Sequence, residues 1–209
     1  MLQKVNEPAR KGRPRSEEAH QAILAAALQL VFEDGFRSVS IDAIAAKADV
    51  GRATIYRRWP NKAAIVMDAF LQDVGPNISF PSRADATESL RTQMRLLAKA
   101  FRGKHGALIK ALLGEAQFDP ELAEAFRERW IRPRRESAMV TLREAMAKGQ
   151  LRADIDLDTA IDALYGGIYY RLQIGNAPLS DSYIDSLFQH VVYGLRGPMQ
   201  SLDSDTALK

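Results

Sequence analysis

The chain has 209 residues, 46% of them hydrophobic, and its 29 basic and 26 acidic side chains leave a net charge of only +3. That is enough apolar material for a substantial core in one or two domains. With no cysteine, disulfide frameworks and thiolate metal sites are excluded and a reducing, cytoplasmic compartment fits; the longest apolar run, residues 22–32, is too short to span a bilayer, and the basic start lacks the apolar stretch of a signal peptide.

The basic excess is concentrated in residues 1–15, where Lys4, Arg10, Lys11, Arg13 and Arg15 stand against Glu7 alone. Pro8, Gly12 and Pro14 lie among them, so this stretch is expected to be a flexible arm that draws a polyanion. Ser16 then reads as an N-cap, with Glu17 and Glu18 suited to the positive end of a helix. Ile23, Ala27, Leu30 and Val31 recur at helical spacing, which predicts a helix over 17–34, stopped by Asp34-Gly35. Ser40 caps a second, two-turn helix with Ile41, Ile44, Ala45 and Ala48 on its apolar face. Asp49-Val50-Gly51 breaks it. A third helical segment covers 52–59 and ends before Pro60, and Asn61 caps a fourth that carries Ile65, Val66, Ala69 and Phe70.

In the third segment Ala53, Ile55, Tyr56 and Trp59 are the residues able to join a core, which leaves Arg52, Thr54, Arg57 and Arg58 as donors on the remaining surface. Two short helices, a tight turn and a basic outer face make a helix-turn-helix, whose second helix reads the major groove of double-stranded DNA. Gly75 to Arg83, with two prolines, predicts a linker. Helices follow over 84–102, 106–117, 120–149, 157–174 and 180–195, with Pro133 expected to kink its helix near Arg129. The predicted fold is all-α. Its parts are an arm (1–15), a three-helix helix-turn-helix domain (16–62), a helical regulatory and dimerisation domain (63–200) reached through the fourth helix, and a disordered tail (201–209).

The stretch VSIDAIAAKADVGRATIYRRWPNKAAI, residues 39–65, resembles the signature of the TetR family of transcriptional regulators, and FRERWIRPRRE and LYGGIYYRL are similar to one subgroup of its C-terminal domains. Two positions depart from the pattern. Asp49 stands where the family often has Gly, and Gly51 where a Ser or Thr cap is common; Asp tolerates the left-handed region and Gly is an acceptable cap, so the turn is expected to survive. The resemblance implies a repressor, and with the basic surface it gives an operator-contact set of Arg13, Arg15, Ser40, Arg52, Ala53, Thr54, Tyr56, Arg57, Arg58 and Lys62, with Tyr56 and Lys62 on phosphates.

It also implies a homodimer and release by a small-molecule effector of unknown identity, through a shift of the fourth helix that changes the separation of the recognition helices. Two apolar stripes suit dimerisation: Leu157, Ala160, Ile161, Leu164, Ile168 and Leu172, and Ile184, Leu187, Phe188, Val191, Val192 and Leu195. Gly166-Gly167 would permit close helix approach. Candidate pocket residues are Met94, Leu97, Phe101, Leu113, Phe126, Trp130, Met139, Tyr165 and Tyr169. No cofactor, metal or membrane partner is expected. An enzymatic di-iron bundle would need two Glu-x-x-His motifs and only Glu17–His20 fits, while a lipid-binding arm would need the apolar residues that 1–15 lacks.

Overall fold

The computed structural model describes residues 13–81 and 85–196, with side chains from 16 to 195. Among these, the regular elements are all helical, and none is long and apolar enough to cross a membrane. Contacts divide the chain into two units, Met1–Asp73 with Ala111–Trp130 and Val74–Lys110 with Ile131–Lys209.

In the first unit α1 (Arg13–Ser38) is interrupted at Gly35, whose φ of 77° and ψ of 161° leave the helical region. That is the predicted stop, but the start comes earlier than expected. Pro14 falls in the first turn, where its missing N–H costs nothing, so residues 13–15 are helical and Ser16 is no cap. The rest of the predicted arm lies outside the described residues. α2 (Ile41–Lys47) is capped as predicted, the Ser40 hydroxyl accepting from the Ala43 amide at 3.1 Å. α3 covers only Arg52–Tyr56, three residues short of expectation.

Between α2 and α3, Asp49 takes the left-handed conformation at φ 52°, and Gly51 precedes α3 in extended conformation. The exchanged turn residues therefore do as their chemistry suggests. Ile44 and Ile55 are fully buried, each worth ~1.5–3 kcal/mol in apolar burial. α4 (Lys62–Val74) begins where the Asn61 side chain accepts from the Ala64 amide at 2.9 Å.

The boundary expected after residue 62 is not where the contacts divide, because α4 belongs with the helices before it. Trp59 is buried, its indole donates to Asp68 at 2.7 Å, and a buried indole N–H needs such an acceptor. Arg129 donates to both oxygens of the same carboxylate, at 2.6 and 2.7 Å. Phe70 and Trp130 stack tilted with centroids 5.0 Å apart, and Arg37 pairs with Glu115 at 2.5 Å.

In the second unit α5 (Ala86–Phe101) packs against α8 (Arg132–Ala147), α9 (Leu157–Ile174) and α10 (Asp181–Arg196). Asp85 and Asp156 cap α5 and α9 through backbone amides, and Gly175 ends α9 in the left-handed conformation. α6 (Lys104–Glu115) and α7 (Pro120–Ala125) complete the order. The single helix expected over 120–149 is divided: a π-helical turn, Phe126–Ile131, lies between α7 and α8. Pro133 sits in the first turn of α8 and offers no N–H to the carbonyl of Arg129, so the helical ladder loosens just upstream. The predicted tail, 201–209, lies outside the described residues.

Candidate nucleic-acid interface and ligand cavity

α3 presents a surface whose members are exposed because Ile55 and Trp59 take the buried side. Tyr56 is 55% exposed, and Ala53, Arg52, Arg57 and Arg58 are exposed around it, with Thr54 half-buried. Ala53 and Tyr56 therefore do not join the core that their apolar character suggested. Arg57 reaches back to the Thr54 hydroxyl at 3.4 Å, a weak contact that leaves its other N–H groups for a ligand. Arg52 forms an ion pair with Asp42 of α2. Arg58 turns toward α1, donating to the hydroxyl and carbonyl of Ser16 at 2.5 and 3.1 Å.

Lys62 is tied to the protein's own backbone. Its ammonium donates to the carbonyls of Phe36, Arg37 and Val39 at 3.0, 3.3 and 3.0 Å and lies 4.5 Å from the Phe36 ring centroid. An ammonium has three N–H donors, and the carbonyls of Phe36, Arg37 and Val39 take them, so in the chain without DNA Lys62 holds the stretch where α1 ends. Arg13 and Arg15 fall on the first turn of α1, their side chains outside the described ones. His20, the one histidine in a Glu-x-x-His pattern, stacks on Trp59 with centroids 5.1 Å apart and planes 5° from parallel.

The second unit holds a cavity of about 330 Å³ lined by Leu97 from α5, Ile131, Arg134 and Arg135 from the π turn and α8, and Ile161, Asp162, Tyr165, Gly166 and Tyr169 from α9. Leu97, Tyr165 and Tyr169 were among the pocket candidates. The others were not brought to it: Met94 and Phe101 are buried along α5, Met139 is half-buried on α8, and Leu113, Phe126 and Trp130 belong to the first unit. Phe126 and Trp130 pack on each other at 6.4 Å.

Sequence reasoning missed Arg134 and Arg135, which lie in the stretch FRERWIRPRRE. Arg135 donates to Asp158 and Asp162 at 2.7 and 2.5 Å. Burial pushes Arg134 down to about 10, partly opposed by the phenols of Tyr169 and Tyr165. The buried Tyr165 hydroxyl donates to Gln93 at 2.5 Å, and Gln93 donates to the Ile78 carbonyl at 3.2 Å; burial also raises the Tyr165 phenol well above its ordinary range.

The predicted dimer stripes turn inward. Ile161, Leu164, Ile168, Ile184 and Phe188 are buried in the protomer, with Ala160, Leu172 and Val192, and Leu157, Leu187, Val191 and Leu195 are half-buried. Helices sharing one bundle bury their strongest apolar stripes against each other first. The exposed residues without charge include Ala163, Gly166, Tyr170 and Ile174 on α9 and Tyr193 on α10, with Tyr170, Ile174 and Tyr193 at 57%, 61% and 71%. Gly166 has nothing within 4 Å of the position of a Cβ, whereas a Cβ at Gly167 would meet the Tyr183 hydroxyl at 2.5 Å and Leu187 at 3.0 Å.

Residues 23–69 match the family model for bacterial regulatory proteins of the tetR family, and residues 80–191 match the tetracyclin repressor-like C-terminal domain. The chain is 39% identical to the HTH-type transcriptional regulator YdeS of Bacillus subtilis, covering 90% of this chain and 95% of that one. It is 30% identical to the DNA-binding transcriptional repressor TetR of Mycobacteroides abscessus, covering 88% and 97%. The crystal structure of the TetR family transcription regulator SCO0332 superposes with a TM-score of 0.73 at 30% identity, covering 85% and 98%.

Proposed function

Since the chain belongs to the TetR family of DNA-binding transcriptional regulators, a family without enzymatic activity, we propose that it is a cytoplasmic repressor that binds a palindromic operator as a homodimer and is released by a small-molecule effector. The observation that carries the reading is the outer face of α3, where Tyr56 and Arg57 are exposed beside a fully buried Ile55. A face built this way offers a phenol to a phosphate and a guanidinium to a guanine edge or a phosphate. The repressor of Mycobacteroides abscessus supports the sign of regulation.

One protomer supplies one recognition helix, and a symmetric pair meets two half-sites, so the operator mirrors the two-fold axis of the protein. The exposed residues of α9 and α10, rather than the buried stripes, supply the surface for that pairing. The effector occupies the cavity bounded by α5, α8 and α9 and stabilises conformations with low operator affinity.

Selection of bound duplexes from a random pool tests the reading directly. The expected product is an inverted repeat occupied by two protomers, with affinity falling steeply as salt is raised. Failure to retain any duplex at low salt, or recovery of an asymmetric site bound by a single protomer, overturns it.

A further inference from the structure

α3 spans five residues, Arg52–Tyr56, and a helix so short is unstable in water by itself, so its direction has to come from the groups that anchor its ends. Arg58, just beyond it, is tied to Ser16, but both partners are exposed and water competes for them. Trp59 is the buried anchor, 2% exposed. Its amide donates to the Ile55 carbonyl at 3.1 Å and its ring stacks on His20. Stacking leaves a ring free to slide and turn in its own plane. What stops it is the hydrogen bond from the indole N–H, the one polar group of the side chain, to Asp68 at 2.7 Å.

Asp68 stands on α4 and is itself held. Nη1 of Arg129, in the π turn, lies 2.6 and 2.7 Å from its two oxygens. The side chains of this pair are 32% and 27% exposed, so solvent screens the attraction and the pair adds little to stability. It does fix where the carboxylate points. We propose that Asp68 is a positioning residue for operator recognition, acting through Trp59 rather than by contact with DNA: it sets the angle at which Tyr56 and Arg57 meet the groove. The proposal rests on the operator reading above and adds the residue that aims the reading face.

Anisotropy titrations of selected and scrambled duplexes with the full chain test it, across a range of salt and with a urea melt of every variant. Asp68→Ala is expected to weaken binding to the selected duplex roughly tenfold, as a misread base pair does. Binding to scrambled duplexes and the salt slope should stay at wild-type values, because no phosphate contact is lost. Trp59→Phe keeps a ring and removes the N–H, so it should cause the same loss, and the double variant should lose no more than either single one. Asp68→Asn still accepts from the indole and should retain most of the affinity.

Loss of equal size on selected and scrambled duplexes, a smaller salt slope, additive losses in the double variant, or wild-type discrimination by Trp59→Phe overturns the proposal. Trp59→Phe decides the matter even where Asp68→Ala does not fold. A wild-type chain that retains no duplex fails the operator reading, and this proposal falls with it. A wild type that discriminates, together with variants that discriminate as well, removes Asp68 from recognition and leaves that reading intact.

Discussion

Tyr56, the last residue of α3, and Arg57 just after it are exposed, whereas Lys62, a few residues on, gives its three N–H donors to the carbonyls of Phe36, Arg37 and Val39. Different losses follow from removing each. Arg57→Ala is expected to weaken operator binding by about 1–3 kcal/mol if the guanidinium reads a base, and by the same amount on every duplex if it holds a phosphate; binding to selected and scrambled duplexes distinguishes the two. Tyr56→Phe should cost about 0.5–1.5 kcal/mol, the worth of one hydrogen bond. Lys62→Met should instead lower the unfolding free energy by about 1–3 kcal/mol for the carbonyls left without their donor, seen as a lower denaturation midpoint, and leave the salt dependence of DNA binding unchanged. A salt slope reduced by about one would restore Lys62 to the phosphate contacts. The helix-turn-helix pattern is local, within some twenty residues, so Ser40, Ile44, Ile55 and Trp59 were legible in the sequence. The partners of Lys62, Arg58 and Trp59 lie 9 to 42 residues away, and a local pattern carries no such information.

α5 and α10 are tied by one carboxylate. Asp185 accepts from Arg95 at 2.7 and 2.5 Å and from Arg91 at 3.0 Å, and these bonds, that of Arg95 foremost, hold it down at about 2 against an ordinary 3.8. A carboxyl depressed on folding stabilises above its unfolded value, and that contribution drains away as pH falls toward the folded one. Asp185→Asn should therefore lower stability at neutral pH by on the order of 1–2 kcal/mol, allowing for solvent screening of a partly exposed group. Urea melts across pH should show the gap to wild type closing between about pH 4 and pH 2; a gap independent of pH would mean that shape rather than charge joins these helices. The lengths of α9 and α10 were readable because caps and apolar spacing agree there. The π turn was foreshadowed only as a disturbance at Pro133, since a missing donor locates a fault in the ladder without saying how the backbone absorbs it.

For the whole molecule, the apolar residues left outside matter more than those inside. Tyr170 and Ile174 stand on one side of α9, with Ala163 and Gly166 at helical spacing before them. Tyr170→Glu or Ile174→Glu should shift sedimentation from dimer to monomer and weaken binding to the two-half-site operator by roughly a hundredfold, the loss of tethering between half-sites, while a single half-site is bound as before. Variants that remain dimeric would move the pairing surface elsewhere. Fold class and the DNA-reading module were plain from periodicity and turn chemistry. Which apolar stripes the protomer buries within itself was not, because periodicity reports that a face is buried and is silent on what buries it.

Gly167 sets a steric condition that genetics can read. Tyr183, whose hydroxyl already fills the space of the missing side chain, is itself pinned by the Arg171 guanidinium 3.2 Å above its ring. A methyl group at 167 has room only if both this tyrosine and Leu187 yield, so Gly167→Ala should destabilise the fold, and Tyr183→Phe should recover only the share of that loss that the hydroxyl causes.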